Sequence, residues 1–154
     1  MEEDIMKVFV QSTANYFDAV ARGGAVLGTP YLRDEDEDVA LDFSAVIGIS
    51  GTYKGAIYYT APREKMQELL PLIGETDSDD HVCADLVGEI TNTISGNARE
   101  KLGPGFMISS PFIFEGRPRD VRSANGAPCY VLPVQWHNQT SRVLVTLEKT
   151  KEAV

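Results

Sequence analysis

The chain has 154 residues, of which 43% are hydrophobic and 24% charged, a balance typical of one globular domain with a full core. Its net charge of -9 argues against nucleic acids and anionic membrane surfaces as partners, since both require basic patches. Two distant cysteines without CxxC spacing argue against a disulfide framework or a zinc site. The acidic N-terminus lacks the features of a signal peptide and no apolar run reaches membrane length, so we expect a single cytoplasmic domain over 1–154.

The first half of the chain predicts one helix followed by a hairpin. Apolar residues at helical spacing predict a helix over 2–21, which "GGAVLGTPYL" then breaks. Two β-type runs follow, over 39–50 and 55–60, joined by "GTYKG". A phosphate-binding loop is the alternative for this glycine-rich stretch, but it lacks the Walker spacing and no helix follows directly. Glycines on both sides of the joint favour a hairpin with positive φ angles.

The second half predicts two helices and then strands. "APREKMQELLPLIG" predicts a short helix to about residue 73, and Ser78 or Asp79 can cap a long helix over 80–102 that "LGPG" ends. Three β-type runs follow, "FMISSPFIFEG", "PCYVLPVQWH" and "SRVLVTLEK", with a turn at "HNQTSR". Hairpin-linked strands indicate an antiparallel sheet. The expected fold class is therefore α+β, two-layer, with the antiparallel sheet covered on one face by the two long helices.

The long helix carries a narrow polar strip. At 100° per residue, Asp85, Glu89, Asn92 and Gly96 lie within about 60° of one another. The opposite side is the expected core face, formed by Val82, Cys83, Leu86, Val87, Ile90 and Ile94, with Ala98 and Leu102 at its margin.

Two glycines in this helix lower its propensity, each by about 1 kcal/mol against alanine. Small residues surround Glu89 and Asn92, since Gly96 lies within the strip and the strip is flanked by Gly88, Thr91 and Ser95. Such positions let another backbone approach closely, which indicates a docking surface. The alternative is an ordinary solvated face with two tolerated glycines, and the spacing alone favours this alternative.

Two further interpretations concern the chemistry of the strip. His81, Asp85 and Glu89 have i, i+4, i+8 spacing and could gather a metal ion, although no second cluster is present to complete its coordination. Alternatively, the amide of Asn92 can orient a water molecule by donating and accepting hydrogen bonds, the role an amide has in GTPases.

"DLVGEITNTISGNAREKL" resembles the helix motif of the CheC/CheX/FliY chemotaxis phosphatases, and its continuation "NTISGNA" resembles CheX in particular. Asp85, Glu89 and Asn92 match the motif's spacing, and Pro111 matches its downstream proline at a somewhat shorter interval. The order of the strand pair "GISGTYKGAIYY", the motif helix and the final strands is also similar to CheX, so the resemblance covers nearly the whole chain.

The resemblance implies a phosphatase acting on the aspartyl phosphate of a CheY-like response regulator. It implies that Asn92 orients the attacking water, that Glu89 pairs with the receiver's lysine, and that Asp85, Gly88, Gly96 and Pro111 contribute to partner binding. It implies no cofactor and no metal of the protein's own, since the Mg²⁺ belongs to the receiver. No catalytic base is needed for this chemistry, so the absence of a Ser-His or Cys-His constellation agrees with it.

The resemblance also implies one active helix and a homodimer. The first helix has Ser12 three residues before Asn15, where the motif has a glutamate, so we interpret Asn15 as structural or vestigial. The final β-rich runs could supply a dimer edge, although Pro133 argues against a central position for every strand there. A non-catalytic receiver-binding module of the same fold remains the alternative to an enzyme.

Overall fold

A computed structural model describes residues 3–34, 37–116 and 127–150. The helices are α1 (Glu3–Val20), α2 (Arg63–Leu69), which continues into a 3₁₀ turn (Leu70–Ile73), and α3 (Asp80–Leu102). The strands are β1 (Val26–Leu27), β2 (Tyr31–Leu32), β3 (Phe43–Gly51), β4 (Tyr53–Ala61), β5 (Phe106–Ile108), β6 (Phe112–Glu115), β7 (Cys129–Trp136) and β8 (Gln139–Lys149).

The described strands form one antiparallel sheet in the order β1-β7-β8-β4-β3-β5, with β2 also pairing with β7 and β6 with β3. Helices α1 and α3 pack against each other, and α3 lies on β3 and β4. Aromatic side chains join α1 to the sheet, since the ring of Phe17 lies 6.2 Å from that of Tyr59 and the ring of Phe9 lies 6.2 Å from that of Phe106. The predicted α+β class, with two long helices on one face of an antiparallel sheet, is confirmed.

Alternation along the strands explains why the helices cover that face. In β3, Phe43, Ala45, Ile47 and Ile49 are buried, whereas Gly48 between the last two is exposed. Side chains two residues apart share a face of a strand, so the odd-numbered residues of β3 form the floor beneath the helices. Burial of these side chains favours one strand register under α3, and the larger ones, Phe43, Ile47 and Ile49, each contribute roughly 1.5–3 kcal/mol when fully buried.

The first hairpin forms where the sequence predicted it. The pairing of β3 with β4 ends at Ile49 opposite Gly55, so residues 50–54 connect the two strands, and the predicted positive φ is present at Gly51 (95°) and Gly55 (150°). Gly51 and Tyr53 still count as strand residues because they pair with Phe106 of β5 and Lys149 of β8. The strand expected from residue 39 begins at Phe43. The four residues before it leave the sheet, and Val39 and Ala40 cover part of its other face by packing on Val131.

The last hairpin turns over fewer residues than "HNQTSR" suggested. His137 and Asn138 form a two-residue turn with φ values of 50° and 63°, so β8 already begins at Gln139. Positive φ at both central residues is the requirement of a type I′ turn, which matches the twist of paired strands.

The expectation that the final β-rich runs supply a free sheet edge is wrong. Strand β8 lies between β7 and β4, and the outer side of β7 is paired with β1 and β2. No pattern in "GGAVLGTPYL" predicted these two-residue strands. Strands β1 and β2 are interrupted where they pass Pro133 of β7. The carbonyl oxygen of Pro133 accepts a hydrogen bond from the amide of Gly28 (2.9 Å), but proline has no N–H with which to continue the pairing.

Candidate docking and catalytic surface on helix α3

Helix α3 begins and ends where the sequence predicted. The carboxylate of Asp79 accepts a hydrogen bond from the amide of Val82 (3.0 Å), and Gly103 closes the helix by donating its N–H to the carbonyl of Arg99 (2.9 Å). Arg63 at the start of α2 makes a two-pronged contact with Asp80, with nitrogen–oxygen distances of 2.7 and 3.0 Å. These contacts hold the N-terminal end of α3 against the start of α2.

The polar strip is exposed as predicted. Asp85, Glu89 and Asn92 are exposed and Gly96 is half-buried. The buried residues span a wider arc of the helix than the apolar pattern indicated, about 200°. They are Cys83, Ala84, Leu86, Val87, Gly88, Ile90, Thr91, Ile94, Ser95 and Ala98. The strip therefore projects from a helix that is held over more than half of its circumference.

The hydroxyl groups beside the strip do not face solvent freely. Thr91 is buried and donates to the carbonyl of Val87 (2.7 Å), and Thr93 donates to the carbonyl of Glu89 (2.9 Å). Ser95 is buried as well. The helix thus uses the hydroxyl groups of Thr91 and Thr93 internally, whereas Oγ of Ser95 is buried without a hydrogen-bond partner among the described residues.

Gly88 accommodates a neighbouring strand of the same chain. A Cβ atom placed on Gly88 would lie 2.5 Å from Cδ1 and 2.9 Å from Cγ1 of Ile113 in β6. Strand β6 pairs with β3 at the edge of the sheet, and Ile113, opposite Ala45, contacts α3 from that edge strand. Ile113 itself is 36% exposed, so it forms the border of the strip on this side.

Gly96 lies in open space. A Cβ atom there would meet no heavy atom within 4 Å. The missing side chain deepens an open groove of about 620 Å³ at the C-terminal half of the strip. The groove is lined by Asn92, Thr93, Gly96, Asn97, Arg99, Glu100, Gly103, Pro104 and Ile108.

One neighbour of the acidic residues, Tyr16, was not singled out from the sequence, whereas His81 was considered there as a metal ligand together with Asp85 and Glu89. Tyr16 of α1 is buried, and both its burial and, secondarily, the nearby charge of Glu89 raise the pKa of its phenol. Glu89 therefore faces the side of the strip next to α1. His81 places its Nε2 atom 3.5 Å from Oδ2 of Asp85, one helical turn away. No pattern in the sequence links residue 16 to residue 89, because that proximity arises from helix packing.

Pro111 is half-buried in the connection between β5 and β6. In the same connection, Oγ of Ser109 accepts a hydrogen bond from the amide of Gly48 (2.9 Å), which ties the connection to β3. Pro111 thus immediately precedes β6, the strand whose Ile113 borders the strip. Its role in partner binding stays a prediction.

Helix α1 has no comparable strip. Ser12 is fully buried and donates to the carbonyl of Val8 (2.7 Å). Asn15 is exposed, but its Oδ1 atom accepts a hydrogen bond from Gln11 (2.8 Å).

Within the described residues, no three His, Cys, Asp or Glu side chains are grouped as metal ligands, and this includes His81, Asp85 and Glu89. Over the same residues, no helix has the length and apolar composition needed to cross a membrane.

The fold and the strip together define a class of protein. An exposed amide and an exposed carboxylate lie one turn apart on a helix that the rest of the chain supports, beside an open groove. The model of the family described as chemotaxis phosphatase CheX matches residues 43–135, a span that contains the whole strip, and the chain belongs to this family.

Solved structures agree with this assignment. A CheX chemotaxis protein from Desulfovibrio desulfuricans is 29% identical with a TM-score of 0.80, over 94% of this chain and 99% of that one. A CheC-like protein from Shewanella oneidensis is 24% identical with a TM-score of 0.83, over 96% and 100%. The CheX of a CheX–CheY–BeF3–Mg²⁺ complex from Borrelia burgdorferi shares the fold at 19% identity and a TM-score of 0.78, over 96% and 100%. No curated protein matches the chain.

Proposed function

We propose that this protein is a phosphatase that hydrolyses the aspartyl phosphate of a CheY-like response regulator. The observation that carries the proposal is the exposed pair Glu89 and Asn92 on α3, one turn apart and next to the open space at Gly96. Membership of the CheX family supports this reaction, and a CheX of the same fold is known in complex with CheY, BeF3 and Mg²⁺.

In the proposed reaction, Asn92 enters the active site of the receiver and holds a water molecule in line with the acyl phosphate. Its amide can do so because it both donates and accepts hydrogen bonds. Orientation provides the rate increase, since a bound water in attack geometry avoids much of the entropic cost of the encounter. The Mg²⁺ held by the receiver neutralises charge on the phosphoryl group, so Asn92 needs no metal or base beside it.

Glu89 and the rest of the strip bind the receiver. The carboxylate of Glu89 pairs with the receiver's lysine, and Asp85 extends the acidic end of the surface one turn further. Gly96 lets the partner's loops approach the backbone of α3. Gly88 and Pro111 act through β6, because the first accommodates Ile113 and the second immediately precedes that strand.

A receiver-binding module without turnover is the second candidate, since it would use the same exposed surface. The two differ in the amide of Asn92, which only hydrolysis requires. The test measures phosphate loss from a phosphorylated CheY-type receiver with wild-type protein, Asn92→Ala and Glu89→Ala. Asn15→Ala, which changes an exposed asparagine on α1, is the matched control.

We expect wild type and Asn15→Ala to accelerate phosphate loss equally. Asn92→Ala should lower the acceleration by about 100-fold or more while it still binds the BeF3-loaded receiver, because its effect is on water orientation. Glu89→Ala should weaken both binding and turnover. If wild type binds the receiver without accelerating phosphate loss, the protein is the binding module and not the phosphatase.

We also propose that the protein is a homodimer, joined through the β1–β2 edge of the sheet. That edge exposes Val26 (65%), Leu32 (55%) and Tyr31 (38%). The opposite edge includes β6, whose Ile113 borders the strip, so pairing there would crowd the surface that must receive the partner. Unpaired edge strands with apolar side chains are prone to pairing with another chain.

A further inference from the structure

Arg99 lies on the same side of α3 as Asn92. The two are seven residues apart, which places them nearly in line, about 10 Å apart along the helix axis. Both line the groove at Gly96, and Arg99 is exposed. A partner that inserts around Asn92 therefore also passes over Arg99.

Within the described part of the chain, the guanidinium group of Arg99 has no ion-pair partner. The residues three and four positions away on the helix are Ser95, Gly96, Leu102 and Gly103, none of which carries a charge. By contrast, Arg63 pairs with Asp80. In a chain of net charge -9, an unpaired arginine on the docking surface is available to an external carboxylate.

The charges near the strip are unevenly placed. Asp85 and Glu89 lie towards the N-terminal end of α3, and Arg99 lies towards the C-terminal end. Glu100 also lines the groove, but it is adjacent to Arg99 in sequence and points about 100° away from it around the helix. A partner placed in the reverse orientation would bring its own cation against Arg99. Like charges facing each other at an interface disfavour wrong orientations and wrong partners more strongly than they change overall affinity.

We propose that Arg99 is a specificity-determining residue that binds an acidic side chain on the surface of the receiver, about two helical turns along α3 from Asn92. The inference rests on the proposed function, since it takes the occupant of the groove to be a receiver domain. The planar guanidinium can hold a carboxylate through two parallel hydrogen bonds, which fixes orientation as well as position. Receivers without a carboxylate at this place should be poor partners.

A purely structural role for Arg99 is also testable. Both Arg99 and Lys101 lie in the last turn of α3, where a cation stabilises the helix by interacting with its dipole. Lys101 is exposed but does not line the groove. Lys101→Glu therefore reproduces the charge change and the loss of the dipole interaction away from the docking surface, which makes it the matched control for Arg99→Glu.

The experiment measures KM and kcat with a phosphorylated receiver, and the Kd for the same receiver loaded with BeF3, for wild type, Arg99→Glu, Arg99→Lys and Lys101→Glu. For Arg99→Glu we expect KM and Kd to rise about tenfold or more with little change in kcat, because the ion pair acts on docking. Arg99→Lys should give an intermediate loss, and Lys101→Glu should match wild type. Higher salt should reduce the difference between Arg99→Glu and wild type.

A charge exchange identifies the partner residue. Surface carboxylates of the receiver are changed to arginine one at a time, and one such change should restore the affinity of Arg99→Glu while weakening wild type. The inference is overturned if Arg99→Glu and Lys101→Glu have the same Kd, or if no exchange restores binding. It is judged on Kd, whereas the phosphatase proposal is judged on turnover, so the two can fail separately; if wild type binds no receiver, both fail.

Discussion

At the scale of single residues, the two glycines of α3 lie in different surroundings, and the fold requires a glycine at only one of the two positions. Gly88 leaves room for Ile113, whose nearest side-chain atom would lie 2.5 Å from an added Cβ, whereas Gly96 faces open space. The same residue type therefore serves internal packing at one position and an accessible groove at the other. Only at Gly96 does the fold itself not require glycine.

This difference predicts opposite effects on stability. Gly96→Ala should raise the free energy of unfolding by up to about 1 kcal/mol, because alanine is the better helix former and meets no neighbour. It should nevertheless weaken receiver binding by narrowing the groove. Gly88→Ala should not gain this stability, since Ile113 must first be displaced. Urea unfolding of both variants is the measurement, and equal gains in stability would contradict this assignment of the glycines.

At the scale of elements, a buried lysine joins α2 to the sheet. Lys65 is fully buried, and its Nζ atom donates to the carbonyl of Val134 in β7 (2.9 Å) and to Oγ of Ser141 in β8 (2.8 Å). The same atom lies 5.0 Å from the ring centroid of Phe17 in α1. No carboxylate among the described residues pairs with it, and burial lowers its pKa to about 7.

The stability of the protein should therefore depend on this lysine in a pH-dependent way. In the unfolded chain Lys65 has its usual pKa of 10.5, whereas in the folded protein its pKa is about 7. The unfolded state thus binds more protons between these values, and the contribution of Lys65 to stability rises with pH by roughly 1.4 kcal/mol per unit. Below about pH 7 both states are protonated and the full cost of burying the charge is present.

The measurement compares urea unfolding of wild type and Lys65→Met between about pH 7 and pH 9. Met keeps the apolar stem without the charge, so the variant should be the more stable protein near pH 7 and lose this advantage as pH rises. Tyr16, Tyr59, Cys83 and Cys129 have pKa values raised by burial, which lowers stability at higher pH in both proteins equally. Parallel curves for the two proteins would show that Lys65 has the same pKa in the folded and the unfolded state, which would contradict the prediction.

At the scale of the whole molecule, the two edges of the sheet differ in what surrounds them. The β6 edge adjoins the polar strip of α3 through Ile113, and the β1–β2 edge lies at the other end of the strand order. The molecule can therefore pair through β1 and β2 while α3 remains open to a receiver. This arrangement underlies the proposal of a homodimer with two accessible docking surfaces.

The dimer proposal predicts that a charge at the β1–β2 edge gives a monomer. Leu32→Lys should shift the mass measured by light scattering to that of one chain, because the side chain is 55% exposed and its burial between two chains would be lost. Leu72→Lys, at a 41% exposed leucine of the 3₁₀ turn, is the matched control and should leave the mass unchanged. Phosphatase activity per chain should be retained in both, since neither residue lies on α3. A monomeric wild type would refute the proposal.

The sequence by itself determined the long elements and the composition of the polar strip. Helix α3 was predicted with both of its end residues, and the exposure of Asp85, Glu89 and Asn92 was predicted from their spacing. These features depend on the local order of residues, because helical periodicity and capping act over a few positions. The matching of the motif to the CheX family rests on the same local order.

Only the tertiary structure decided which neighbours complete the surface. Three features depend on elements that are distant in the sequence: Ile113 lies beside Gly88, the charge of Glu89 acts on Tyr16, and Arg99 has no ion-pair partner among the described residues. The short strands β1 and β2 are equally invisible in local patterns, since two residues carry no periodicity and their pairing is decided by β7. Local propensities specify the helix that carries the site, but contacts between distant segments determine where that helix is accessible, because accessibility depends on what the rest of the chain leaves uncovered.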